Sequence, residues 1–208
     1  MHIMLSKIRM FSLRPLAIAI SLCVAVPVSL AQPGPGRNEN AMQETRDIAS
    51  AMLKELGQTL QAAMANGGPE NAIGVCKTQA PEIAQNLSTK HQLQVARVGT
   101  RARNAVMGQP NEWLALALKQ FEARLASGAK PHDIEFVQLT KSGAYDLELR
   151  YAKPIVMQAM CTACHGSTEQ ITPSVKAKLE QMYPNDKAVD YKPGDLRGAV
   201  VVTRILSN

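Results

Sequence analysis

Aromatic residues are scarce in this chain: one Trp, four Tyr and three Phe make up 4% of its 208 residues. No stripe of Lys and Arg interleaved with aromatics occurs, so a nucleic-acid partner is not expected. Beyond residue 31 no apolar run is long enough to span a bilayer. Repeats and low-complexity segments are absent. Cysteines are also few, at positions 23, 76, 161 and 164.

The first fourteen residues carry Lys7, Arg9 and Arg14 and no acid, and an apolar run fills 15–31, ending in Ser29-Leu30-Ala31. A basic start, an apolar middle and a small-x-small end describe an export signal, residues 1–31, cleaved near Ala31. The alternative is a retained anchor, since the run reaches the lower edge of spanning length. Cleavage leaves no stable membrane span and places the mature chain in the periplasm or outside the cell. It also removes the three cations just named, so the formal charge falls from +6 to +3. Cys23 leaves with the signal. Cys76, Cys161 and Cys164 remain, an odd number that argues against a simple disulfide framework.

Residues 32–40 (QPGPGRNEN) read as a flexible leader to a single domain, 41–208. Ile48, Met52, Leu56, Leu60 and Met64 recur every four residues and predict an amphipathic helix. Asn66-Gly67-Gly68 ends it, and Pro69-Glu70 opens a second helix on which Ile73, Cys76 and Ala80 share a face. Strands are predicted over 92–98, 134–140, 144–151 and 198–206. A helix with Trp113, Ala117, Phe121 and Leu125 lies between the first two. Pro154 is expected to start a further helix running into residue 160. Thr172-Pro173 supplies an N-cap and first-turn pair for the last helix. The sum is an α+β domain, helices packed on an antiparallel sheet behind an N-terminal helical segment. An all-helical bundle is the alternative.

Met160-Cys161-Thr162-Ala163-Cys164-His165-Gly166 carries the chemistry. C-x-x-C-H places two thiols at the spacing of a porphyrin's two vinyl groups, with an imidazole to reach the iron from the same turn. Such attachment belongs outside the cytoplasm, where the export signal leads. On this reading Cys161 and Cys164 form thioethers to one haem c per chain, His165 is the proximal iron ligand, and Gly166 leaves room beside the macrocycle. A thioredoxin-like dithiol would want the motif opening a helix within a βαβ unit. A zinc site would want its ligands in separated pairs, whereas His165 directly follows Cys164.

The opposite face of the iron has several candidate ligands: Cys76, His91, His132 and methionines such as Met64 and Met107. Spacing alone does not choose among them. The segments AIGVCKTQAPEIA (72–84), RVGTRARNAVMGQPNEWLALALKQF (97–121), CTACHG (161–166) and YPNDKAVDYKPGDLRGAVVV (183–202) resemble, in order, a family of exported single-haem domains typified by a cyanobacterial haem protein. The resemblance implies a PAS-like antiparallel sheet preceded by helices. It also implies iron held by the motif histidine and a distant cysteine, which correspond to His165 and Cys76. Where the family usually has proline after an Arg-Asn pair, this chain has Ala105. Arg97, Arg101 and Arg103 are either solvated loop residues or partners of the haem propionates.

A thiolate ligand favours ferric iron and a low potential. The expected role is therefore low-potential electron transfer or redox and gas sensing, with a redox protein or a diatomic ligand as partner. An enzyme is less expected, since no acid–base constellation surrounds a substrate pocket. A peroxidase-type enzyme with an open sixth position is the alternative.

Overall fold

Ile48 and Met52, one turn apart, lie fully inside the protein on a long helix, α1 (Arg37–Gly74). The computed structural model describes residues 36–104, 108–143 and 146–206; the expected export signal lies outside them. Helix α1 begins at Arg37, so the end of the stretch read as a leader is helical. The predicted break at Gly67-Gly68 is present as a kink. Gly68 takes φ +67°, a conformation that suits glycine, and Pro69 restarts the helix. The Asn71 side chain reaches back and donates to the Ala63 carbonyl at 3.1 Å, satisfying an acceptor the kink frees.

A five-residue π-helical turn, Val75–Gln79, joins α1 to α2 (Ala80–His91). Then follow β1 (Gln94–Gly99), α3 (Glu112–Ala126), β2 (Phe136–Ser142) and β3 (Asp146–Val156). The one-turn α4 (Thr162–His165), α5 (Pro173–Met182) and β4 (Leu196–Leu206) complete the chain. The strands form one antiparallel sheet in the order β1-β4-β3-β2. The last strand is thus central, which explains the buried apolar run Ala199–Val202 at its middle.

Alternation along β4 divides the core. Val200 and Val202 face α1 and α2, meeting Ile48, Met52, Ile83, Leu87 and Tyr151. Ala199 and Val201 face α3, meeting Leu114, Ala117, Leu118 and Phe121. Each large apolar side chain buried here contributes about 1.5–3 kcal/mol. Asn111 caps α3 by accepting from Leu114 N at 3.2 Å, and Thr172 caps α5 as expected. The result is the α+β arrangement, not the helical bundle.

The helix expected from Pro154 is absent, because β3 continues through Val156. Strand β2 pairs no further than Ala152, so Pro154 interrupts no ladder bond on that side. A 3-10 turn (Ala159–Cys161) then leads into α4. On β4, Ile155 pairs with Gly198 but Val156 with Leu196. Arg197 is therefore the extra residue of a bulge, which re-aims its side chain. Among the described residues no helix is long and apolar enough to cross a membrane.

Candidate functional site

The lower half of the α1 stripe faces a cavity, although Leu56 still packs against the core. Leu56, Leu60 and Met64 line a cavity of about 600 Å³ between the helices, the end of the sheet and the cysteine motif. Its walls are largely apolar and its size is that of a small-molecule or cofactor site. Cys76, Cys161, Cys164 and His165 all border it. The π-helical turn brings Cys76 there from one side, and the turn after β3 brings the motif.

His165 is held in one orientation. Its Nδ1 lies 2.7 Å from the Ala188 carbonyl oxygen, which can only accept, so Nδ1 carries the proton. Burial first, then the charge of Arg103, holds the imidazole's pKa well below its ordinary value. The ring is neutral, and Nε2 keeps a free lone pair. This is the tautomer that a metal-ligating histidine requires. Tyr191 packs edge-on to the ring at 6.1 Å, and its hydroxyl lies 2.7 Å from Thr100 Oγ1. Gly166 is small for a local reason: an added Cβ would fall 2.5 Å from the Thr162 carbonyl oxygen.

Cys76, Cys161 and Cys164 form no disulfide with one another. Burial pushes the Cys164 thiol up to about 11, the reverse of the activated thiol of a dithiol redox centre. Among the described residues no three His, Cys, Asp or Glu side chains converge as a directly coordinated metal ion would need. Cys76 and the motif share a cavity rather than a point, which fits a flat macrocycle between them better than zinc.

The expected arginines separate. Arg97, on β1, borders the cavity, and its guanidinium has no hydrogen-bond or ion-pair partner among the described residues. Burial lowers its pKa, against the opposing influence of Cys76 and Tyr183. An unpaired, half-buried cation on an apolar wall suits an anion, which a carboxylate-bearing cofactor such as haem would supply. Arg103 also borders the cavity, but its guanidinium is occupied by Asp186 and two backbone carbonyls. Arg101 does not border it. That residue lies 3.8 Å over the Tyr191 ring and donates to the Asp190 carbonyl.

Among the other ligand candidates, Met64 reaches the cavity and Met107 lies outside the described residues. His91 sits 3.2 Å from Glu44, and His132 is exposed beside Asp133. Trp113 stacks on Phe136 under α3, on the opposite face of the sheet. Sequence reasoning missed Arg197 and Tyr183, both on the cavity wall. Arg197 arrives there through the bulge, which leaves no mark in the residue pattern.

Fold and site together define a small α+β binding domain. It offers an apolar cavity bordered by a paired-thiol motif, a metal-ready imidazole and a third thiol. The chain belongs to the Tll0287-like family, whose profile matches residues 37–204. The crystal structure of the cyanobacterial heme-protein Tll0287 shares the fold, with a TM-score of 0.57 and 24% sequence identity. That match covers 84% of this chain and 99% of the other. A comparison with curated proteins finds no match.

Proposed function

We propose that this chain is an exported c-type haem protein that acts in redox or gas sensing, with low-potential electron transfer as the second reading. Cys161 and Cys164 would hold one haem by thioethers, His165 Nε2 would bind the iron, and Cys76 would take its opposite face. Arg97 would pair with a propionate. When bound, the haem supplies one-electron chemistry and, at a vacant iron position, affinity for diatomic molecules. The observation that carries this reading is the convergence of Cys76, the motif and the neutral His165 on one cavity. Sensing is favoured because Cys76 sits on a π-helical turn close to the Gly67-Gly68 kink. Such a turn holds one residue more than an α-turn and is a frequent site of functional rearrangement. Family membership and the solved relative, itself a heme-protein, support the haem.

The test is to express the full-length precursor with a haem-attachment system and record absorption spectra, oxidised and reduced, with and without CO. Chromophore retained on denaturation is expected, as is a low-spin, thiolate-like ferric band that Cys76→Ser abolishes. CO uptake after reduction would favour sensing over electron carrying. Free thiols with no Soret band would overturn the reading. A high-spin spectrum unchanged by Cys76→Ser would move the role to an enzyme with an open iron position.

A further inference from the structure

The carbonyl that orients His165 is itself held in a closed network. Ala188 O accepts from His165 Nδ1 at 2.7 Å and from Arg103 Nη2 at 3.3 Å. The same Nη2 donates to the carbonyl of Cys164, the residue before the histidine. Arg103 Nε donates to Asp186 Oδ2 at 2.9 Å, and the other carboxylate oxygen accepts from Ala188 N at 2.8 Å. A backbone bond from Lys187 N to Ala102 O, 3.0 Å, ties the two loops together beside it. The Arg103 and Asp186 side chains are 7% and 11% exposed. Three segments distant in sequence therefore meet on one guanidinium.

A surface arginine that was merely solvated would not show this pattern. Each oxygen of the carboxylate and the carbonyl at the centre has a partner, and such satisfied networks rigidify what they hold. The charge matters as well as the geometry. A carbonyl already bound by a guanidinium is a weaker acceptor, so the imidazole donating to it gains less negative charge. Outer-shell partners of this kind tune a ligating histidine's basicity.

We infer that Arg103, balanced by Asp186, is the positioning residue of His165, fixing the imidazole through Ala188 and limiting the electron density it can pass to a bound metal. This rests on the proposed haem binding. It assigns Arg103 a role on the histidine instead of on a propionate. Asp186, which the sequence pattern did not single out, becomes the counter-charge.

The two charges give the inference opposite signs to test. The haem-bearing exported protein is titrated with dithionite against a mediator dye of known potential, one electron taking ferric iron to ferrous. Arg103→Gln keeps an amide donor but removes the cation, so the midpoint should fall by about 59 mV, a tenfold change in the oxidised-to-reduced ratio. Asp186→Asn leaves the guanidinium unbalanced, so the midpoint should rise. A purely structural role would loosen the same loops in both variants and shift them the same way. Shifts of one sign, or an Arg103→Gln ratio within about twofold of the parent, overturn the inference. Should Arg103→Gln fail to fold, Arg103→Lys replaces it. A parent-like potential there, with a raised one for Asp186→Asn, supports the inference, and a lowered one for Asp186→Asn overturns it. A parent protein without attached haem would instead overturn the haem reading, and this inference with it.

Discussion

Arg46 of α1 and Glu135, ahead of β2, form a two-pronged ion pair, with Nη2 2.7 Å from Oε1 and Nε 2.9 Å from Oε2. The Tyr151 hydroxyl donates to the same carboxylate at 3.1 Å, so helix and sheet are joined at one acid. The hydrogen bond from Arg46 lowers the Glu135 pKa below its ordinary value, and burial opposes this. A lowered folded-state value means the contribution is present above the unfolded carboxyl pKa and is lost as pH falls through the folded one. The pair is partly exposed, so the effect should be about 1 kcal/mol. Urea midpoints of the parent and Glu135→Gln should differ at about pH 7 and converge near pH 3. A constant gap across that range would show that the carboxylate charge is not what stabilises.

Arg97 should change the sign of its effect with the cofactor. In the haem-free chain its guanidinium is half-buried and unpaired, so Arg97→Met should raise stability by about 1 kcal/mol. In the haem-bearing protein the gain should vanish or reverse, because an anionic partner is then present. Denaturation midpoints of both forms measure it. An equal gain in both would place the propionates elsewhere.

Shortening the π-helical turn should turn Cys76 away from the cavity. Deleting Thr78 would make Val75–Gln79 an α-turn and rotate the residues before it by roughly 100° relative to α2. Helix α2 is anchored in the core by Ile83 and Leu87, so the rotation falls on the segment between the Gly67-Gly68 kink and the turn, at the expense of the Ile73 packing against α5. The deletion variant should reproduce the spectrum of Cys76→Ser with unchanged far-UV dichroism. A parent-like thiolate band would show that the extra residue does not aim the thiol.

Gly198→Ala should be the most damaging small substitution in the sheet. Gly198 has φ +155° and faces Gly99 across the β1–β4 ladder. A Cβ there would lie 1.9 Å from the Val98 carbonyl oxygen, a clash with backbone that no rotamer relieves. The cost should be on the order of 3–4 kcal/mol, read as a lowered urea midpoint. Gly57→Ala, with open space around it, serves as the control.

Much of the architecture was readable from local pattern. The four-residue recurrence from Ile48 predicted α1, and Gly67-Gly68-Pro69 predicted its break. Thr172-Pro173 predicted the start of α5. Pro154 misled, because its rigid φ suits a first helical turn and an unpaired strand margin equally. The choice depended on where β2 stops, a fact about a neighbour in space. The four-residue stripe also ran past the core without announcing it: Leu60 and Met64 line the cavity, and Leu56 both lines it and packs against the core.

The site divides along the same line. The order of residues is enough to mark the motif, since two thiols and an imidazole within five positions need no distant partner to be recognised. It also marks Cys76 as a thiol without a local mate. The separate roles of the three arginines come from tertiary contact alone. Arg97, Arg101 and Arg103 lie close together in sequence, yet one is left unpaired on the cavity wall, one is stacked on Tyr191, and one is bonded to Asp186 and Ala188. A guanidinium's role is set by the acceptors that surround it. Those acceptors come from segments far along the chain, which no local pattern can bring together.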